Sequence, residues 1–302
     1  LWILAILSLL AISFAHHTAI GIKLIEYHIG SLKNLYICKA GIKRACYELN
    51  EDKAYDSLND SWSSNPEAFK NISVGDGAFT VSYQIEDDNK DMTTVYGMID
   101  EERKININKL VKNGVRDVDR ISQMERLFER LDIDAVIADY IVDWLDSDSN
   151  SLVDAEEDFY QGLSVPYHCK NDLIECLEEM HLIRGITAEI FGKLTPYITI
   201  YGNGEININT AGKEVLIALG LNDVLIGQIL NCRDEEDGLY PFKTLPDLNL
   251  TPQQKKYLTV NSSVFTINVT SVLNNSKLIK RVNVVLQREN DSKIKIKYWH
   301  EN

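Results

Sequence analysis

The chain has 302 residues, 45% of them hydrophobic and 25% charged, with a formal net charge of -14. That balance supports a sizeable buried core and more than one domain, and it excludes the disordered and collagen-like classes. Cys38, Cys46, Cys169, Cys176 and Cys232 form no C-x-x-C pair and the six histidines lack ligand spacing, which argues against zinc. Cys169 and Cys176 flank a short loop, and both a disulfide and two free thiols remain open.

Leu1 to Ala15 (LWILAILSLLAISFA) carry no charge, and apolar character continues through His16 and His17 to Ile22. A bilayer span needs about 20 apolar residues, and no basic region precedes this run as a signal peptide would require. The reading is a transmembrane helix entered partway, with a buried core helix as the alternative. Beyond it, Lys23, Lys33, Lys39, Lys43 and Arg44 interleave with Ile25, Ile29, Leu32, Leu35, Tyr36, Ala40 and Ile42 near helical spacing. One rod to about Asn50 is expected, roughly 75 Å long at about 1.5 Å per residue.

A polar stretch, Asp52 to Gly77, leads to Phe79, Val81, Tyr83 and Ile85, which alternate as in a half-buried strand. Asp87 to Lys90 reads as a turn and Thr93 to Ile99 as a second strand. From Asn108 to about Lys193 the pattern is helical, and Val136, Ile137, Tyr140, Ile141, Trp144 and Leu145 make one apolar face. Lys104-Ile-Asn-Ile-Asn108 recurs as Glu205-Ile-Asn-Ile-Asn209, each an extended piece that feeds a helix capped by Asn. The tail reads as strands over Val264 to Val269, Ile279 to Gln287 and Ile294 to Trp299, with turns at Asn274-Asn275 and Asn290-Asp291. A helical block therefore lies between parts of one sheet.

The helix through Leu145 delivers an acidic loop, Asp146 to Glu157. Its oxygens stand at positions 1, 3, 5, 9 and 12 as Asp146, Asp148, Asn150, Asp154 and Glu157, and Leu152 offers a backbone carbonyl at position 7. This is the ligand spacing of an EF-hand-type calcium loop. Ser151 departs from the glycine expected at position 6. The bland alternative is a solvated acidic loop. Asp132 to Leu182 holds 14 acidic residues against Lys170 alone, which favours a neutralising divalent ion. Asp158, with Asp143 and Glu156, could serve a second ion or none. From Thr251 to Asn302 the balance reverses to nine Lys/Arg against three Asp/Glu.

Several segments, in order, resemble the type II secretion system minor pseudopilins of the general secretion pathway protein K family. They are LWILAILSLLAISFA, IVDWLDSDSN, AEEDFYQGL, Val165-Pro166-Tyr167, LEEMHLIRGIT, LTPYITIYGNGEININTAGKEVL, Val285-Leu286-Gln287-Arg288 and Tyr298-Trp299. The resemblance implies an α+β, pilin-like fold: a long N-terminal helix on a small antiparallel sheet, with a large inserted all-α domain of two SAM-like units. The corresponding boundaries are 1–22 for the transmembrane helix and 23–107 for the pilin helix and first strands. The two units are 108–204, with the calcium loop, and 205–260; the closing strands are 261–302. It also implies calcium in the globular part, an inner-membrane anchor with the rest in the periplasm, and a place at the pseudopilus tip with minor pseudopilins I and J.

Two other function classes compete. Ile206 to Ala211, the following helical pair and PFKTLPDL also resemble a helix-hairpin-helix DNA-binding module around Leu219-Gly220-Leu221-Asn222-Asp223. Asp234, Glu235, Glu236 and Asp237 beside it would repel a phosphate backbone, so nucleic acid is not the favoured partner. An enzyme is disfavoured because no nucleophile with a base, phosphate-cradling loop or histidine cluster stands out.

Overall fold

A computed structural model describes residues 1–51, 55–86, 92–147, 157–234, 241–245, 250–274, 278–289 and 293–302. The first element is a single helix, α1 (Trp2–Glu51), as the unbroken apolar and then amphipathic pattern requires. After it come α2 (Pro66–Phe69) and strands β1 (Ile72–Val74), β2 (Gly77–Val81), β3 (Tyr83–Glu86), β4 (Met92–Val95) and β5 (Ile99–Asp100). Then β6 (Ile105–Asn106), β7 (Val111–Lys112) and β8 (Val115–Arg116) lead into α3 (Val118–Arg130), α4 (Val136–Leu145), α5 (Glu157–Gln161) and α6 (Ala188–Leu194). The next elements are β9 (Ile198–Thr199), β10 (Ile206–Asn207), α7 (Lys213–Ala218), α8 (Asp223–Asp234), α9 (Pro252–Lys255) and β11 (Leu258–Thr259). Three long strands close the chain: β12 (Val264–Leu273), β13 (Ile279–Arg288) and β14 (Ile294–Glu301).

The main sheet runs β1-β2-β12-β13-β14, with β5 also paired to β12. Every pairing in it is antiparallel. Strand β2 meets Val269 to Leu273 and β5 meets Phe265 and Thr266, so two early strands lie end to end along one edge of β12. The other edge takes β13. Everything from β6 to β11 is therefore an insertion into this sheet, as the sequence pattern implied.

Helix α1 buries only its second half. Ile37, Cys38, Ile42, Ala45 and Leu49 pack with Phe79, Val81, Ile267, Val269, Val282, Val284 and Leu286 in one core. Gly41 sets the closeness of this contact, because a Cβ there would fall 2.9 Å from Phe79 Cδ2 and 3.0 Å from Val269 Cγ1. A helical glycine costs about 1 kcal/mol in propensity, which the apolar burial around it offsets. Asn34 pins the same face through Nδ2 to the Leu278 carbonyl at 3.0 Å and accepts from the Ser271 hydroxyl at Oδ1, 3.1 Å.

The expected strand from Phe79 to Ile85 is two strands. Ser82 breaks it, and β3 leaves the main sheet to pair with β4. The expected Thr93 to Ile99 strand also divides, because Tyr96 to Met98 bond to another loop. Asn65 donates to the Tyr96 carbonyl at 2.8 Å and Met98 to the Trp62 carbonyl at 2.9 Å. Residues 87–90, read as a turn, lie outside the described residues.

Inside the insertion, each Ile-Asn-Ile-Asn copy opens a unit. β6 pairs in parallel with β9, and β10 in parallel with β11. The insert is thus mainly helical, with a two-residue ladder at the mouth of each unit. The two units share one core. Met124, Leu127, Phe128, Ile141 and Trp144 from the first join Val215, Leu216 and Ile226 from the second. Arg126 Nε donates to the Ala218 carbonyl at 2.8 Å, and Arg130 pairs with Glu214 at 2.6 Å across the same seam.

The expected Asn cap is made at the first copy, by Asn106, whereas after the second copy α7 has Gly212 as its N-cap and no side-chain cap. The first Asn of each copy, not the second, makes the local turn: Asn106 Oδ1 accepts from Asn108 N at 3.0 Å, and Asn207 Oδ1 from Asn209 N at 2.9 Å. The first copy feeds a 3-10 turn over Ile107–Lys109 instead of an α-helix.

Candidate functional site

The N-terminal half of α1 is bare. Leu4, Leu7, Leu9, Leu10, Ile12 and Phe14 are all exposed although apolar. Among the described residues one helix, Trp2–Asn50, contains a stretch long and apolar enough to cross a membrane, and that stretch has no burial within the chain. An uncovered apolar surface of this length needs lipid or other helices around it. The apolar exposure continues past the span at Leu24, Ile25, Tyr27, Ile29, Leu32 and Tyr36.

Helix α4 carries the six apolar residues expected of it and ends with Asp146 at its C-cap, whose amide bonds the Val142 carbonyl. Asp143 and Asp146 are both buried, and Arg116 from β8 approaches them with Nη2 at 3.7 Å and 3.5 Å. Those separations are ionic contacts longer than ordinary hydrogen bonds. Sequence spacing gave no sign of Arg116. Trp144 from α4 meets Tyr160 from α5 edge to face at 5.2 Å, fixing where the loop returns.

Glu157 opens α5 and is held on both oxygens. Its Oε2 accepts from the Cys169 amide at 2.9 Å, and Oε1 accepts from Gln161 Nε2 at 3.0 Å and contacts His168 Nδ1. The Cys169 amide and then the His168 and Gln161 side chains hold its carboxyl below the usual range. Asp158, beside it, is exposed. The structure thus describes the two ends of the acidic loop, Asp146 and Glu157 with Asp158. Asp148, Asn150, Leu152 and Asp154 lie outside the described residues. Among the described residues no cluster of three or more His, Cys, Asp or Glu is arranged to hold a metal ion. Hard oxygen donors at both loop ends suit calcium chemically.

All five cysteines are free thiols here. Burial pushes the Cys38 and Cys46 thiols up.

The hairpin between α7 and α8 has the helix-hairpin-helix shape, with Gly220 at a φ of +78° that suits glycine. Its amides are used internally. Gly220 donates to the Ile217 carbonyl at 2.8 Å, Leu221 to the Leu216 carbonyl at 3.4 Å, and Leu225 to Asn222 Oδ1 at 2.9 Å. Those are the groups a phosphate would take, so the shape is present with its donors already engaged.

Residues 103–203 match the first-domain model of type II secretion system protein K. The chain is similar to that family over those residues. It is 29% identical over 179 residues to type II secretion system protein K of Aeromonas hydrophila, an alignment covering 54% of this chain and 53% of the relative. It is 31% identical over 111 residues to the protein of the same name from Pectobacterium carotovorum, covering 35% and 34%. The chain spans about half the length of the Aeromonas relative and about a third of the Pectobacterium one. A chain in the crystal structure of the GspK-GspI-GspJ complex from enterotoxigenic Escherichia coli superposes with a TM-score of 0.69 at 19% identity, over 92% of this chain and 98% of that one. That likeness shows a shared fold, which runs through α1 and the closing strands as well as residues 103–203.

Proposed function

We propose that this chain is a minor pseudopilin of a type II secretion system, sitting at the pseudopilus tip with minor pseudopilins I and J. The observation that carries this reading is one chain combining a bare apolar half-helix with a globular fold shared with a chain of the GspK-GspI-GspJ complex. Apolar helices bundled in a fibre bury surface that otherwise needs lipid. An insert as wide as β6 to β11 cannot be threaded into the shaft, so it belongs at the end. In this reading the helix anchors the chain in the inner membrane before assembly and the rest faces the periplasm. The role is structural, with no catalysis attached.

Calcium is part of the proposal. Asp146, Asp148, Asn150, Asp154 and Glu157 with the Leu152 carbonyl would hold it, and Asp158 is the adjacent carboxylate. The buried Asp143 and Asp146 at the loop's base and the gripped Glu157 at its end support the reading. The ion would cross-link α4 to α5 and neutralise part of the acidic surplus. Removing it with a chelator lowers the melting temperature of the parent chain, and Asp146→Ala with Glu157→Ala abolishes that response. A parent melting curve unmoved by chelator contradicts the calcium assignment.

The direct test is gel filtration of the detergent-solubilised chain mixed with minor pseudopilins I and J, with calcium and with chelator. A ternary peak is expected. Its absence under both conditions, with the chain folded, removes the tip role.

A further inference from the structure

The chain crosses between the pilin body and the insert twice, at residues 100–105 and again at 258–264, and both crossings meet in a cluster of buried carboxylates. Asp100 accepts from the Thr210 hydroxyl at 2.5 Å, the Ser262 hydroxyl at 2.7 Å, the Glu102 amide at 2.8 Å and Asn207 Nδ2 at 3.3 Å. Asp56 accepts from the Ser262 amide at 2.6 Å and pairs with Arg288 at 2.5 Å. Glu101 takes the Thr199 hydroxyl from the insert at 2.6 Å, the Thr266 hydroxyl from β12 at 2.7 Å and Lys104 at 3.0 Å. Each of these three spans both bodies or ties down a crossing.

Glu102 is different. It is only 3% exposed. Both its oxygens face Ser263, one towards the amide and one towards the hydroxyl at 2.9 Å. Above it lies Gly202 of the insert, where a Cβ would stand 3.0 Å from Glu102 Cγ. Among the described residues no ion pair reaches Glu102, whereas Arg288 serves Asp56 and Lys104 serves Glu101. Arg103 acts on Asp100 instead. A carboxylate so placed has hydroxyl and amide donors but no cation, and its nearest charged influence is another carboxylate.

We propose that this joint is a proton-gated hinge, closed while Glu102 is protonated and loosened when it ionises, so that the insert can shift its seat on the pilin sheet. In the protonated form the acid O–H donates to Ser263 Oγ while the second oxygen keeps the Ser263 amide, so every group stays satisfied. In the ionised form a buried charge with amide and hydroxyl donors but no cation sits under Gly202 beside Asp100, and water must enter to complete its solvation.

The titration fits this geometry. Burial, and then the neighbouring Asp100, push Glu102 up to about 7. Burial raises Asp56 to about 6 against the pull of Arg288. Complete burial raises Asp100 as well, while Glu101, equally buried, is held below the ordinary range by Lys104 and its hydroxyl donors. A carboxyl raised on folding contributes stability in full below its ordinary value near 4.5 and loses it as pH rises through about 7. The joint is therefore tightest in mild acid.

The test is hydrogen exchange of the full chain in detergent, read as protection factors at pH 5.5 and 8.0. Segments 99–106, 199–210 and 258–264 should lose protection by roughly tenfold or more between those values, while β13 stays constant. Glu102→Gln, a mimic of the protonated acid, should keep the joint protected at both. If Glu102→Gln also loses protection in β13 it is misfolded, and Ser263→Ala replaces it. That variant removes the hydroxyl from both forms, and because its bond to the charged carboxylate is the stronger of the two it should move the transition to higher pH. Equal protection at both pH values, or a transition unchanged in the variants, overturns the hinge.

Discussion

The two Ile-Asn-Ile-Asn segments share four residues and one fold, yet they do different work. In both, the first Asn closes a local turn and the second clamps a distant backbone. Asn108 exchanges two bonds with Ile174, from Oδ1 at 2.9 Å and Nδ2 at 2.9 Å, and Asn209 does the same with Phe242 at 2.9 Å and 2.9 Å. The difference lies in where the first Asn sends its amide. Asn106 stays inside the insert, donating to the Tyr201 and Gly202 carbonyls at 2.6 Å and 3.0 Å. Asn207 reaches across to the Asp56 carbonyl at 3.0 Å, the Ser262 hydroxyl at 2.8 Å and Asp100. A repeat of sequence repeats the local turn and the clamp, while the surroundings decide which copy becomes the joint between bodies.

That contrast can be broken by substitution. Asn207→Ala should have the largest effect, about 3 kcal/mol of stability, because several buried partners lose their donor at once. Denaturant unfolding of the full chain in detergent measures it, and the pilin sheet and the insert should then unfold as separate transitions. Asn108→Ala and Asn209→Ala should each cost about 2 kcal/mol, near each other, since each leaves one buried amide and one carbonyl to find new partners. A large gap between the two would show that the clamps are not equivalent. Asn106→Ala should be mildest, at about 1 kcal/mol, because Tyr201 and Gly202 are only half-buried and water can replace it. A cost for Asn106→Ala matching that of Asn207→Ala would erase the distinction drawn above.

Long-period features were legible in the chain itself. The extent of α1, the insertion into one sheet, the apolar face of α4 and the three closing strands all follow from hydrophobic periodicity, which each element carries within itself. Contacts between remote residues were not. Asn108 and its Ile174 clamp are 66 residues apart, and nothing local marks the pair. The Asp100-Glu101-Glu102 run has the look of a solvated acidic surface, yet all three side chains are buried because donors arrive from Ser262, Ser263, Thr199 and Thr210, residues remote in sequence. Ser82 ends a strand that alternation alone would have continued, since β3 finds its partner in β4. At the acidic loop, spacing located the two ends, while Arg116 and the Cys169 amide came only with the fold.

The central claim is that the pilin body assembles and the insert caps. It is tested most directly by replacing residues 108–260 with a short Gly-Ser linker and measuring capture of minor pseudopilins I and J, beside the full chain. Retained capture, at least in part, with the sheet folded by circular dichroism, is the predicted result. Loss of capture by a variant whose sheet remains folded would make the insert the interface and contradict the account.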